Sequence, residues 1–322
     1  MGRKKRCFDL ISDDFWLSKI FNDSVSRLDQ ITCFLFDNGS FRPDTTLSLR
    51  ALARRLSAEV GMTVVPVSLL HSANVAAEKL GGQGAELLEP ALMKFAETGG
   101  SRAVLLPLFF GPSGALTDYL PERLNSIQSR YPSFQIKVAA CLVNLDDDSA
   151  AIIASALAAR VQTTVSQITS QSPEQIWVIA TDHGSPKPAV TAVRNQIGLE
   201  LEKLVCGAGV KVLVASMEKR EGAEYSFNDP LLAVAINQAI DAGAQDIIVA
   251  QQFLQAGRHA GEGGDIAEIC EQAIRRAPHV SIYRTPVLVD RPEIQRLLHR
   301  RLSEAITASS WTQPSQSPLH SG

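Results

Sequence analysis

The sequence predicts an α/β protein made of two similar domains, each a parallel sheet of about four strands flanked by helices and related by internal duplication. Three observations carry this reading. Short runs rich in Val, Ile, Leu and Phe alternate with longer amphipathic stretches along the 322-residue chain. That is the pattern of strands buried on both faces and joined by crossover helices. The second half echoes the first at a shift of roughly 145 residues. And both halves break off their first apolar run in the same way, into an acid, a polar residue, Gly and Ser: FLFDNGSFRP at 34–43 and VIATDHGSPKP at 178–188.

The echo continues in order. TVVPVSLLHS (63–72) answers to VKVLVASMEKR (210–220), and TGGSRAVLLPLFFGPSGA (98–115) answers to DAGAQDIIVAQQFLQAGRH (241–259). Motif, order and spacing agree together, which marks a duplication rather than a chance likeness.

Taken in chain order, residues 1–30 read as an N-terminal extension. It opens on the basic MGRKKRC, a solvated terminus, and continues as FDLISDDFWLSKIF, whose acids deny it the apolar region of a signal peptide. Domain 1, residues 31–170, has strands near 31–37, 63–70, 102–110 and 134–142. Between the first two, TTLSLRALARRLSAEV sets Leu47, Ala51, Leu52 and Leu56 on a helical period. LDDDSAAIIASALAARVQTTVSQI reads as the last helix of this half, and TSQSPEQ as the linker. Domain 2, residues 171–306, has strands near 175–181, 210–217, 246–253 and 280–289, with helices near 189–206, 229–241, 265–276 and 291–305. Residues 307–322, polar and proline-containing, read as a disordered tail.

Composition narrows the function classes. Apolar residues make up 45% and charged residues 20%, enough for a real core, and a net charge of -3 does not favour a nucleic-acid partner. No apolar run approaches the roughly 20 residues of a membrane helix. The five cysteines (Cys7, Cys33, Cys141, Cys206, Cys270) are scattered, and Cys33, Cys141 and Cys206 sit in or beside apolar runs. This argues against a disulfide scaffold and a cysteine zinc site, and a reducing cytoplasm is the expected location. No G-x-G-x-x-G follows a first strand, GGQGAE at 81–86 lacks the Lys-Ser/Thr of a phosphate cradle, and no G-x-S-x-G elbow is present.

In an open parallel sheet the ligand sits beyond the carboxyl ends of the strands. Three groups of the second half fall there. His183 ends the first strand, Glu218 ends the second, and His259 lies in the loop after the third. Singly, each has an ordinary reading: a hydrogen-bonded structural histidine, a solvated loop acid, a surface histidine beside Arg258. Together, two imidazoles and a carboxylate can hold a divalent first-row metal or accept protons near neutral pH. His71, His279, His299 and His320 have no such placement and read as ordinary residues.

TDHGSPKP and FLQAGRHAGEGGDI, with their echoes, resemble the class II chelatases of the sirohydrochlorin cobaltochelatase and ferrochelatase type, over roughly residues 31 to 305. The resemblance implies two similar α/β domains around a cleft. It implies insertion of a divalent metal into sirohydrochlorin, in cobalamin or sirohaem biosynthesis. The metal, Co²⁺ or Fe²⁺ with Ni²⁺ also compatible, is then a substrate, and no nucleotide or redox cofactor is needed. His183 and His259 match the family's metal-binding and catalytic histidines, and Glu218 matches an acidic residue on its second strand. The first repeat departs from the pattern, with Asn38, Leu70 and Ala115 at the three positions, so the second domain carries the chemistry and the first forms the opposite wall. A polyanionic ring calls for cations and N–H donors. Lys187, Lys219, Arg220 and Arg258 lie next to the three groups, and Ser185 and the glycines from Gly261 to Gly264 offer N–H groups. A duplicated chain forms the paired cleft by itself, so a monomer suffices. The competing expectation is a non-catalytic relative that binds a metal or a tetrapyrrole.

Overall fold

The computed structural model describes residues 31–168, 175–205 and 209–308. The N-terminal extension, most of the linker and of the tail, and Cys7 and Cys206 lie outside the described residues. Each half is a strand–helix alternation, as the pattern predicts. The first runs β1 (Ile31–Asp37), α1 (Pro43–Val60), β2 (Val64–Ser68), α2 (Leu88–Glu97), β3 (Arg102–Pro107), α3 (Leu120–Arg130), β4 (Gln135–Val138) and α4 (Ser149–Val165). The second runs β5 (Ile176–Asp182), α5 (Pro188–Val205), β6 (Lys211–Ser216), α6 (Leu232–Asp241), β7 (Asp246–Gln251), α7 (Asp265–Arg276), β8 (Ser281–Arg284) and α8 (Pro292–Thr307).

Both sheets are parallel throughout, in the orders β2-β1-β3-β4 and β6-β5-β7-β8. The two orders are the same permutation, as duplicated halves require. In each, the order reverses between the first and third strands of the half, so the crevice of the second sheet opens between the ends of β5 and β7. The central strands are buried on both faces: β7 is buried at every position and β5 at all but Trp177.

Several elements are shorter than predicted. β4 covers only 135–138 of the expected 134–142, and β8 only 281–284 of 280–289. Both are edge strands, paired on one side only. Past their ends the chain keeps a few bonds to the neighbouring strand and loop, among them Leu142 N–H to the Phe109 carbonyl and Leu288 N–H to the Phe253 carbonyl, rather than a continuous ladder. β6 ends at Ser216, so Glu218 stands two residues beyond the strand. KREGAEYSFNDP forms a 3₁₀ turn at Ala223–Asn228, and α6 starts after it.

The halves share one apolar core. It joins Leu49, Leu106 and Ile153 from the first half to Val193, Ile248 and Leu297 from the second. Helices α4 and α5 pack face to face across it, through Ala154, Leu157, Val193 and Ile197 among others. The last helix of each half packs on the other half: α4 lies against β7, and α8 lies against β3 and α1. Buried polar groups fix the second crossing. Arg301 on α8 donates to the carbonyls of Cys141 (2.9 Å) and Leu142 (3.1 Å) and pairs with Asp147. In return Lys137 on β4 donates to the carbonyls of Ala305 (2.9 Å) and Ala308 (2.7 Å) at the end of α8, where the helix dipole favours a cation.

Cys33, Cys141 and Cys270 carry free thiols. Burial pushes the Cys141 thiol up to about 12 and that of Cys270 up to about 11, which suits packing rather than reactivity. No described helix is long and apolar enough to cross a membrane.

Candidate metal and tetrapyrrole site

β5 and β7 flank the point where the sheet order reverses, and each delivers one histidine. His183 follows Asp182 directly at the end of β5. His259 sits in the 252–264 loop after β7. Their Nε2 atoms face each other at 3.2 Å, and the rings meet edge to face with centroids 4.5 Å apart. Glu218 lies beside them, its Oε1 3.5 Å from His183 Nε2. The three sequence-predicted groups therefore meet at one place. Among the described residues no three His, Cys, Asp or Glu side chains are arranged to close around an ion. What the fold provides is an open pair of imidazoles with a carboxylate at one side.

The second nitrogen of each ring fixes its tautomer. His183 Nδ1 lies 3.0 Å from the Gly184 carbonyl, which can only accept. His259 Nδ1 is hydrogen-bonded to the Asp265 carboxylate. Each Nδ1 then carries a proton, and in the neutral ring each Nε2 presents a lone pair. Two such nitrogens 3.2 Å apart can share one cation, either a proton or a metal ion. At the usual imidazole–metal distance of about 2.0–2.1 Å, an ion bound by both would see them at an angle of about 100°. That leaves its remaining positions open to water, to Glu218 or to a ligand.

A buried polar network holds His183 in place. The Asp182 carboxylate, behind the histidine, accepts from Ser216 Oγ at 2.6 Å and from the Gly184 N–H at 3.1 Å. Arg194, fully buried on α5, donates to Ser216 Oγ (2.5 Å) and to the Asn228 carbonyl (2.8 Å) and lies 4.0 Å from Asp182. Burial pushes the Asp182 carboxyl above the usual range, while Ser216 and Arg194 pull it back. Asn228 ties the turn from the other side: its Oδ1 accepts the Ser185 N–H at 3.0 Å and its Nδ2 donates to the Ser185 carbonyl at 2.9 Å. Gly184 has φ +89, and a Cβ there would lie 1.9 Å from the Glu218 carbonyl oxygen. Only glycine lets the β5 turn approach the Glu218 backbone this closely.

The remaining predicted contacts are placed as follows. Arg258 and Arg220 are exposed, with Arg258 Nε 3.8 Å from Asp265. Lys187 crosses to the first half and pairs with Asp118 at 3.0 Å, which holds the Asp118 carboxyl below the usual range. Lys219 pairs with Asp229 at 2.6 Å. Three of the expected N–H donors are already used. That of Ser185 goes to Asn228, and those of Gly261 and Gly264 go to the carbonyls of Gly257 and Gly261. Buried turns satisfy their own amides before any ligand arrives. A hollow of about 530 Å³ against Gly198, Val214 and Phe227, with Arg194, Glu202 and Asp229 also lining it, contains none of the predicted residues and no histidine.

Sequence reading missed Asp265, although it stands six residues after His259 at the start of α7. It also missed the Asp182–Ser216–Arg194–Asn228 network. The acid of DHGS was visible, but its partners come from three other elements.

The first half repeats the frame without the chemistry. Gly39 has φ +87 and abuts the Leu70 carbonyl as Gly184 abuts that of Glu218. Leu70 N–H bonds the Asn38 carbonyl just as Glu218 N–H bonds that of His183. This places Asn38 at the His183 position and Leu70 at the Glu218 position. Ala115 stands as far past Phe109 as His259 stands past Phe253, and Phe109 and Phe253 accept matching bonds from Leu142 and Leu288. Leu49 stands at the Arg194 position. Asp37 is accordingly buried without a cation, and no hydrogen bond of normal geometry reaches either oxygen although Ser68 and Gln255 lie beside it. Burial pushes its carboxyl up to about 6, with those two neighbours offsetting part of the effect.

Residues 177–305, the half that carries His183, Glu218 and His259, match the family model described as CbiX. Among solved structures the chain is similar to SirB from Bacillus subtilis with Fe3+, at 14% identity and TM-score 0.64, covering 87% of this chain and 96% of that one. It is similar to the sirohydrochlorin chelatase SirB from Bacillus subtilis subspecies spizizenii in complex with cobalt, at 14% identity and TM-score 0.61, covering 86% and 96%. It is also similar to DR2241 from Deinococcus radiodurans, a multi-domain protein with structural similarity to chelatases, at 15% identity and TM-score 0.54, covering 85% of this chain and 55% of that one. No curated protein matches the chain. At these identities the likenesses establish the fold of both halves together.

Proposed function

We propose that the chain inserts a divalent first-row metal ion, Co²⁺ or Fe²⁺, into a sirohydrochlorin-type tetrapyrrole, as a step of cobalamin or sirohaem biosynthesis. The observation that carries the reading is the pair of Nε2 lone pairs facing each other at 3.2 Å across the switch point of the second sheet. His183 and His259 hold the incoming ion, and Asp265 supports His259 from behind. Glu218, whose side chain is 59% exposed, attracts the hydrated cation and helps it shed water. Insertion exchanges one M²⁺ for two inner N–H protons of the ring. As the ion passes to the ring nitrogens, the freed Nε2 lone pairs become the nearest bases for those protons. Two imidazoles bind more weakly than a closed four-ligand site, which suits an ion that must be released. Arg220 and Arg258, both exposed, are the cations we assign to the ring carboxylates.

The test is turnover with purified full-length protein. Sirohydrochlorin is mixed with Co²⁺, Fe²⁺ or Ni²⁺ in turn, and the ring absorbance is followed against a protein-free control. Catalysed, saturable spectral conversion is expected with at least one ion. Protein that binds ring or metal stoichiometrically without accelerating conversion would instead support the carrier reading, which the missing histidines of the first half favour.

A further inference from the structure

Where the first repeat has lost its metal-binding groups, it carries an aromatic pair that the second repeat lacks. Phe41 stands at the position of Pro186, and His71 at that of Lys219. Phe41 is 65% exposed, the most exposed of the large apolar side chains among the described residues. Its ring lies against that of His71, with centroids 4.9 Å apart and planes inclined by 40°. An exposed aromatic face gains from stacking against another flat ring.

His71 is held there by strain. It is the non-glycine residue at positive φ among the described residues, at φ 64 and ψ -43. The turn is closed by a bond from Ser72 N–H to the Leu70 carbonyl at 2.7 Å. Together these define a γ-turn of the rare, strained hand. Strain of this kind persists where the surroundings impose it, and it clusters at ligand sites. Its effect here is to present the imidazole to Phe41.

The segment that carries Phe41 also borders the loop that carries His259. Ser40 and Arg42, on either side of Phe41, both border the loop that carries His259. Arg42 Nη1 approaches the Glu262 carbonyl at 3.4 Å, and a Cβ on Gly257 would sit 3.8 Å from Ser40 Oγ. An exposed ring beside a metal-binding loop, with a guanidinium adjacent, matches a ligand that has a flat π face and carboxylates at its rim.

We infer that Phe41, steadied by His71, is the stacking contact for the face of the tetrapyrrole, and that Arg42 meets one of its carboxylates. This rests on the proposed function above and gives the first half a definite role, since it positions the ring while the second half handles the ion.

The test measures the two ligands separately in the full-length protein. Metal-free sirohydrochlorin is titrated by absorbance, and Co²⁺ is titrated in the absence of ring. Phe41→Ala is expected to weaken sirohydrochlorin binding about tenfold with Co²⁺ binding unchanged, and Phe41→Trp to restore it. His71→Gly, which removes the strain, is expected to keep or raise the melting temperature while weakening the ring severalfold. Equal sirohydrochlorin affinity in wild type and Phe41→Ala overturns the inference alone. Parallel loss of Co²⁺ and ring binding in Phe41→Ala overturns it too, because the residue would then merely support the His259 loop. A wild-type protein that binds Co²⁺ but no sirohydrochlorin removes the proposed function and this inference together.

Discussion

His183 and His259 are separated by 76 positions in the chain, yet their Nε2 atoms stand 3.2 Å apart. Strands β5 and β7 make this possible, because they are hydrogen-bonded neighbours whose connections leave in opposite directions. Each ring has its other nitrogen engaged, by the Gly184 carbonyl or by Asp265. Under the proposed function the pair would work as one unit, and removing either histidine is expected to disable it.

His183→Ala and His259→Ala are each expected to lower metal-dependent turnover by about 100-fold or more. The double variant should lose little beyond either single one, as groups acting together do. Both side chains are partly exposed, so melting temperatures should stay close to wild type. Wild-type turnover in His183→Ala would end the assignment.

Asp265 touches His259 and no other imidazole. Asp265→Asn keeps an acceptor for the Nδ1 proton but removes the charge. Metal affinity should fall by about 10- to 100-fold, as measured by Co²⁺ titration. The fold should be intact by circular dichroism, since the acid is not buried in the core.

Gly184→Ala puts a methyl group 1.9 Å from a backbone oxygen at a positive φ. Neither partner can move freely, because Glu218 N–H is bonded to the His183 carbonyl. A loss of about 2–4 kcal/mol in denaturant unfolding is expected, together with loss of activity. Gly84→Ala, where an added Cβ meets nothing within 4 Å, is the control and should change stability by less than about 0.5 kcal/mol. Similar effects from the two substitutions would contradict the close approach at Gly184.

Asp37 predicts a pH dependence. Its carboxyl is pushed up to about 6 by burial, above its value in the unfolded chain, so the folded state favours the protonated form. Its contribution to stability is fully present below the unfolded pKa and is lost as pH rises through about 6. The shift corresponds to about 3 kcal/mol of destabilisation at pH 8. Asp37→Asn should therefore be more stable than wild type at pH 8, and its advantage should shrink steadily toward pH 4. Urea unfolding at both pH values measures this, and a constant difference would mean that Asp37 is solvated in the folded protein.

The alternation of apolar runs and helical stretches revealed both sheets, because strands buried on two faces need continuous apolar sequence. It overran β4 and β8, since an edge strand and the apolar loop after it look alike until the ladder is known. His183, Glu218 and His259 were legible because each follows a strand of one parallel sheet, and the topology alone brings such ends together. Asp265 and Arg194 were not, since a carboxylate near a helix start and an arginine inside a helix have common solvated readings. Nor was His71, whose importance lies in a backbone angle that no side-chain pattern encodes.

The crossing of α4 onto β7 and of α8 onto β3 bears on how this architecture can be taken apart. A gene cut at the linker would yield two fragments, each lacking the roof of its own sheet and carrying that of its sibling. Such pieces should be insoluble alone and recoverable only when produced together. The intact chain should melt in one cooperative step, so that the half without a facing pair of imidazoles is inherited with the half that has one.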